Sequence, residues 1–162
     1  MKKSGLFTLV LLLFIFSCKK EAIMNGEVTN NPTFAAELSA SPDTIAVGPY
    51  HLFLKAIVGR DFMPGGGENS SAMVSLNWLT DIDSTAISNT VVLNRQYIVM
   101  GDKIWSTNYT EIDRSKAHII QGIARKGPLW ETGIYVDVIC EFETNGEIFR
   151  VISKSQRIEA TF

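Results

Sequence analysis

The chain has 162 residues, and its 15 basic and 17 acidic side chains give a formal net charge of −2. This balance excludes a strongly basic surface for nucleic acid, and it gives no support to charge attraction between the protein and an anionic bilayer. A chain of this length can bury a core that needs no disulfide or metal. We therefore expect one globular domain with no nucleic-acid partner.

A basic start, a short apolar run and a small residue open the chain. Lys2 and Lys3 are followed by an apolar segment over residues 6–16, and then by Ser17 and Cys18. The apolar segment is shorter than the ~20 residues that a helix needs to cross a hydrocarbon core. This combination is typical of a secretory signal peptide.

The cysteine directly after a small residue resembles the lipobox of bacterial lipoproteins, in which the thiol is acylated. The resemblance implies a signal peptide over residues 1–17 and lipid attachment at Cys18. It also implies the outer membrane of a Gram-negative cell, because Lys19 stands where lipoproteins of the inner membrane often have Asp; which face of that membrane is left open. The alternative is an ordinary signal peptide without lipid. The polar composition that follows predicts a flexible tether over residues 18–33, before a domain over residues 34–162.

The domain shows two-residue alternation of apolar and polar residues, in short runs separated by Gly, Pro, Asn and Asp. Runs of this kind predict strands at residues 46–58, 73–80, 91–100, 103–109 and 117–125. We predict an all-β fold, an antiparallel sandwich of about 7–9 strands.

Asn145-Gly146 predicts a β-hairpin with a type I′ turn near the end of the chain. One face would then pair Phe142 with Phe149, Cys140 with Val151, and Val138 with Ser153. The other face would pair Glu141 with Arg150, Ile139 with Ile152, and Asp137 with Lys154. Opposite charges in both polar pairs support this register.

Residues 41–48, Trp78 and Cys140 carry a resemblance to immunoglobulin-like domains. Residues 41–48 resemble the first strand of bacterial members, Trp78 stands where the family buries a tryptophan, and Cys140 falls in the penultimate strand. The resemblance implies an immunoglobulin-like sandwich over residues 40–162, without the inter-sheet disulfide because the second strand has no cysteine. Such a fold implies no particular function. We interpret Cys140 as a small buried apolar residue, with a reactive thiol as the alternative.

Trp105 and Tyr109 are the first candidates for ligand binding. They alternate onto one face of a predicted strand, where they would form a stacking platform for a sugar ring, with Asn108 nearby for its hydroxyl groups. The alternative places both aromatic rings in the core. Phe62, beside the three glycines at residues 65–67, is a further candidate; its ring lies either in a contact patch or against the core.

Two short motifs, Asp43-Thr44-Ile45 and Asp83-Ser84-Thr85, resemble the acceptor sequence of a bacterial O-glycosylation system. The resemblance implies candidate modification sites at Thr44 and Ser84. Asp81 and Asp83 offer carboxylate oxygens for Ca²⁺, but a calcium site wants six to eight oxygens, so we favour turn capping for both.

The sequence holds no recognisable catalytic constellation. His51 and His118, its two histidines, lie in predicted strands, and we interpret both as structural. The spacings typical of a serine nucleophile elbow, a P-loop or a zinc site do not occur. We therefore expect no enzymatic activity, no metal and no cofactor.

The resulting hypothesis is a lipid-anchored module of the cell envelope that binds a glycan or an envelope protein. The alternative is a structural or assembly subunit of a surface complex that acts through strand-edge contacts. A small hydrolase is a third, less favoured hypothesis because the catalytic residues are missing.

Overall fold

The computed structural model describes residues 24–62 and 71–162, and it confirms the all-β prediction. The predicted signal peptide and Cys18 lie outside the described residues. The elements within the described residues are β1 (Glu27–Asn30), α1 (Pro32–Ser39), β2 (Thr44–Val47), β3 (Tyr50–Asp61), β4 (Met73–Asp81), β5 (Val92–Met100), β6 (Lys103–Asn108), β7 (Glu111–Asp113), β8 (Ile119–Gly127), β9 (Tyr135–Thr144) and β10 (Glu147–Thr161).

The ten strands form one curled sheet in the order β1-β6-β5-β9-β10-β3-β4-β8-β7, with β2 beside β3. We call β1, β6, β5 and β9 the helix-covered half, and β2, β3, β4, β8 and β7 the uncovered half. Strand β10 joins the halves, because its first part is antiparallel to β9 and residues 158–161 run parallel to β3. In place of about 7–9 strands in a two-sheet sandwich, the described residues form ten strands in one hydrogen-bonded sheet, nine of them on a continuous path and β2 beside β3.

Most of the predicted strands lie within a few residues of observed ones. Strands β4, β5, β6 and β8 match the predictions at residues 73–80, 91–100, 103–109 and 117–125. The predicted strand at residues 46–58 is instead two strands, β2 and β3, which pair in an antiparallel hairpin. Gly48 has φ +57 and turns the chain between them, a conformation that glycine adopts without steric cost.

The two halves of the sheet face each other across the main core. Side chains from both halves meet there, and those with no exposed surface include Leu52, Leu79, Ile98, Trp105 and Phe142. This packing fixes the halves relative to each other, so residues from distant parts of the chain can build one site.

The predicted β9–β10 hairpin is confirmed, including most of its register. Phe149 pairs with Phe142 and Val151 with Cys140, and Asn145 and Gly146 both have positive φ, as a type I′ turn requires. The Arg150 Nε lies 2.9 Å from Glu141 Oε2. The predicted pairing of Asp137 with Lys154 is wrong, because a bulge shifts the register after Ser153.

The helix-covered half takes its name from α1, which packs on the outer face of its strands. Asn31 caps the helix by accepting a hydrogen bond from the Phe34 N–H at 3.0 Å, and Pro32 occupies the first turn. Leu38 is fully buried in a second apolar cluster, whose strand members are Tyr97, Val99, Ile104, Ile139 and Ile152. Among the described residues, no helix is long and apolar enough to cross a membrane.

Strand β1 and the start of α1 correct the prediction of a flexible tether over residues 18–33. Residues 27–30 pair antiparallel with β6, so the folded domain begins before residue 34. The polar composition of Asn30-Asn31-Pro32 favours a flexible segment, but Asn before Pro is also typical of a helix N-terminus.

Strand β4 has a fully buried inner face and a partly exposed outer face, and polar residues lie on the inner one. Ser75 and Asn77 are at most 1 % exposed inside the sheet, whereas Leu76 and Trp78 lie partly exposed on its outer face. The prediction that Trp78 is the buried tryptophan of an immunoglobulin-like core is therefore wrong; Trp105 is the fully buried tryptophan.

Candidate functional site

The strongest candidate site is a polar cleft where the helix-covered half meets the uncovered half. It lies beside residues 108–110, through which β6 continues into β7, and its volume is about 430 Å³. Its lining includes Asn25, Glu27, Arg95, Ser106, Asn108 and Tyr109. Strands β1, β5 and β6 thus supply groups that are far apart in the sequence.

The segment around Asn25 and Gly26 forms one wall of the cleft. The Trp105 Nε1–H donates to the Asn25 carbonyl oxygen at 2.8 Å, and the Asn25 N–H donates to the Lys126 carbonyl oxygen at 2.9 Å. A Cβ at Gly26, which has φ +79, would lie 2.2 Å from the Ser106 carbonyl oxygen. Only glycine fits there, so this segment is held firmly against β6.

Tyr109 stands between the cleft and the core. A Cβ at Gly122 would lie 2.5 Å from Tyr109 Cδ1, so the glycine makes room for the phenol ring. The Tyr109 hydroxyl accepts a hydrogen bond from Asn77 Nδ2 at 3.2 Å. Burial, reinforced by the neighbouring Cys140, raises the pKa of Tyr109 well above its usual range, so the phenol is neutral at physiological pH.

A buried polar network continues behind Tyr109. Asn77 Nδ2 also donates to the Gln96 Oε1 at 2.6 Å, and both side chains are at most 1 % exposed. The Gln96 Nε2 has no hydrogen-bond partner among the described residues. The wall next to the cleft is therefore polar, and one amide in it has an unused donor.

The rim of the cleft offers free polar groups. Arg95, Glu27 and Asn108 are exposed, and none of their side chains has a hydrogen-bond or ion-pair partner within the part of the chain that the structure describes. Guanidinium, carboxylate and amide groups together can donate to and accept from a ligand rich in hydroxyl groups.

The predicted platform of Trp105 and Tyr109 is not formed. Trp105 has no exposed surface and packs against Gly127, so it cannot stack on a ligand; the core alternative is correct for this residue. Tyr109 does line the cleft, and Asn108 lies beside it as predicted. Asn25, Glu27 and Arg95 are residues of the cleft that the sequence does not indicate, because no local signal shows that β1, β5 and β6 meet there.

Phe62 lies on a different part of the surface. Its side chain is 38 % exposed and stacks on Phe162, with ring centroids 5.7 Å apart. The Arg60 guanidinium carbon lies 4.9 Å from the Phe62 ring centroid. The glycines at residues 65–67 lie outside the described residues.

Thr44 and Ser84 are both exposed, as a modified side chain would have to be. Thr44 opens β2, and Ser84 adopts φ +60 in the turn after β4. Their modification stays a prediction.

Asp81 has the turn role that the sequence favoured. Its carboxylate accepts hydrogen bonds from the N–H groups of His51 and Thr85, each at 2.7 Å. These bonds outweigh the desolvation caused by burial and lower the pKa of Asp81 below its usual value. His51 Nδ1 lies 2.7 Å from Asp83 Oδ2 on the surface, and in the described ranges no three His, Cys, Asp or Glu residues group as metal ligands.

Cys140 is buried, as predicted. It has no exposed surface, and burial raises the pKa of its thiol to about 12. The thiol is therefore protonated at neutral pH, which is opposite to the state that a reactive cysteine needs.

Comparison with protein-family models, with curated proteins and with solved structures finds no match to this chain. The arrangement of its strands and the polar cleft are thus the features from which a function can be argued.

Proposed function

We propose that this protein is a lipid-anchored, non-enzymatic module of the cell envelope that binds a glycan in the polar cleft. The observation that carries the proposal is the lining of the cleft, where unpartnered polar side chains surround a partly exposed tyrosine. We further propose an outer-membrane location, from the resemblance of residues 1–18 to a lipoprotein signal, and an immunoglobulin-like architecture for the curled sheet.

The chemistry of the cleft favours a saccharide over a peptide or an apolar ligand. A volume of about 430 Å³ lies within the ~300–1,000 Å³ of small-molecule sites, which are usually more apolar than this one. Arg95, Asn108 and Glu27 can make paired donor and acceptor contacts with vicinal hydroxyl groups, and the edge or face of Tyr109 can pack on the sugar ring. An envelope protein is the other ligand class for the same site.

The position of the cleft in the chain fits a ligand at the membrane surface. Asn25, in the wall of the cleft, is seven residues after Cys18. An extended chain spans at most ~3.6 Å per residue, so an anchor on Cys18 would hold the cleft within about 25 Å of the bilayer. Polysaccharides and glycolipids of the envelope would lie in that zone.

A glycan array of envelope saccharides, probed with the mature chain carrying Cys18→Ser, tests the proposal. We expect a saturable hit that also changes tryptophan emission, because the indole of Trp105 is bonded to the cleft residue Asn25. Arg95→Gln should weaken binding by about tenfold, as for a lost charged hydrogen bond. The control is Arg157→Gln, since Arg157 is also exposed and does not line the cleft.

Two results would contradict the proposal. One is an array without a saturable hit, which would leave a protein ligand to be sought by crosslinking on the native envelope. The other is a hit that both arginine variants weaken equally, which would separate binding from the cleft.

The assembly alternative, in its strand-edge form, has weaker support. The strands at the two ends of the sheet, β1 and β7, have four and three residues. Short edge strands are a common protection against edge-to-edge pairing. If this chain assembles, we expect it to use a face of the sheet rather than an edge.

A further inference from the structure

The outer face of the uncovered half is an apolar sheet surface without a covering element in the described residues. Val74, Leu76 and Trp78 of β4 point to this face, while the polar residues between them point inward. Ile57 of β3 is 46 % exposed on the same face. Side chains of this size are normally turned to a core, so this face is suited to being covered by another molecule.

The strand register arranges this face in rows. One row runs Ile57, Leu76, Ile123 across β3, β4 and β8. The next row runs Lys55, Trp78, Gln121, Asp113 from β3 to β7. The middle of the second row is rigid, because Trp78 Nε1 donates to the Gln121 Oε1 at 3.1 Å.

The charges at the two ends of the second row are opposite, and neither has an ion pair among the described residues. Lys55, at the β3 end, lies 6.0 Å from the Trp78 ring centroid and has no ion pair with any described residue. Asp113, at the β7 end, is hydrogen-bonded to Ser115 and likewise has no ion pair there. Two strands separate Lys55 from Asp113, so they do not neutralise each other directly.

We infer that this face binds a second copy of the same chain, around a two-fold axis that runs parallel to the strands between β4 and β8. Rotation about this axis turns the two faces toward each other and keeps each row opposite itself. Lys55 then faces the partner's Asp113, and Asp113 faces the partner's Lys55. Leu76 faces the partner's Ile123, so charge and apolar surface are both complementary.

The remaining contact of the apolar row is compatible with this arrangement. Ile57 meets the partner's Glu111, whose carboxylate is already paired with Arg125 at 2.7 Å in its own chain. The dimensions also fit a dimer. Four strands about 4.8 Å apart and nine residues of about 3.4 Å each span at most about 590 Å², at the low end of the ~600–1,000 Å² per partner that specific interfaces bury.

The same axis suits two proteins held by one membrane, a point that rests on the proposed lipid anchor. Rotation about an axis along the strands leaves the position of every residue along that axis unchanged. Asn25 therefore lies at the same position along the axis in both copies, and at the same distance from a bilayer perpendicular to it. Both tethers can then reach one bilayer, which raises the effective concentration of the partner face. The glycan cleft is a separate site, so either proposal can fail without the other.

Sedimentation velocity of the mature chain carrying Cys18→Ser tests the dimer over the micromolar range. We expect a concentration-dependent dimer that Lys55→Glu and Asp113→Lys each weaken by at least about tenfold, because each variant sets like charges against each other twice. In an equimolar mixture of the two variants every pair is again opposite, so the mixed dimer should form. Lys154→Glu and Asp102→Lys, which are exposed and outside this face, serve as the matched control pair.

Three outcomes would overturn the inference: a wild-type chain that stays monomeric, a dimer that both single variants retain, or a mixture that stays monomeric while both variants are folded by circular dichroism. Asp113→Asn guards against misfolding, because it keeps an acceptor for the Ser115 N–H and removes only the charge. It should weaken the dimer by a smaller factor than Asp113→Lys. If the wild-type chain stayed monomeric and Trp78→Ala abolished glycan binding, this face would be a saccharide-binding surface instead.

Discussion

The two halves of the sheet differ in what lies on their outer faces. On the helix-covered half, α1 buries Ile104, Ile139 and Ile152 to 1 % exposure or less. On the uncovered half, Leu76 and Trp78 also point to the outer face, and no helix of residues 24–62 and 71–162 covers them. The first face is closed within the chain, whereas the second has no covering helix among the described residues.

This difference shows the limit of alternation as a signal for a core. A strand with apolar residues at every second position reports that one face is apolar, but not which face meets the interior. In β4 the interior face carries Ser75 and Asn77 between the apolar Met73 and Leu79, and Asn77 is hydrogen-bonded there to Gln96 and Tyr109. The outer face, with Val74, Leu76 and Trp78, is only partly buried.

The largest expected effect comes from truncating the tryptophan of each half. Trp105→Ala should lower the free energy of unfolding by about 3–5 kcal/mol, because the indole is fully buried and its Nε1–H bonds Asn25. Trp78→Ala should lower it by about 1 kcal/mol in the monomer, because that ring is partly exposed. Urea unfolding at low protein concentration measures both.

Equal losses for the two variants would contradict the distinction between a closed and an open face. At high protein concentration the comparison sharpens, since Trp78→Ala should also weaken the proposed dimer. Trp105→Ala should leave association unchanged in any fraction that remains folded.

Local chemistry made the β9–β10 hairpin predictable. Asn145-Gly146 defines the turn, and the charge pair of Glu141 and Arg150 supports one register over the other. The signal for α1 was equally local, since Asn31-Pro32 marks a helix start, but the polar residues before it favoured a flexible segment. What could not be predicted is which faces the long-range packing would bury.

The candidate site was predictable only in part, for the same reason. Tyr109 and Asn108 are adjacent in the sequence, and alternation drew attention to them. Arg95 and Asn25 reach the cleft through the pairing of β5 and β1 with β6, which depends on the whole sheet. Trp105 has the alternation of a platform residue, and only its burial shows that it supports the wall instead.

A moderate effect is expected from removing the cap of the covering helix. Asn31→Ala should lower the free energy of unfolding by about 1 kcal/mol, because the Phe34 N–H would lose its acceptor. Asn30→Ala is the matched control, since Asn30 is exposed and its side chain has no hydrogen bond among the described residues. Thermal unfolding of both variants measures the difference. If the two variants lost the same stability, the cap would not be what secures the helix on its half.

The smallest effect is a pH dependence that belongs to the uncovered half. The pKa of Asp81 is lowered in the folded protein, so its contribution to stability is fully present above its ordinary value of 3.8 and is lost as the pH falls through the lower, folded-state value. The difference in unfolding free energy between wild type and Asp81→Asn should therefore shrink as the pH drops from about 6 to below about 4. Asp43→Asn serves as the control, because it removes an exposed carboxylate directly before β2. If this difference in unfolding free energy stayed constant over the pH range, the charge of Asp81 would not contribute to stability. A protonated Asp81 would then support the His51 and Thr85 N–H groups as well as the carboxylate does.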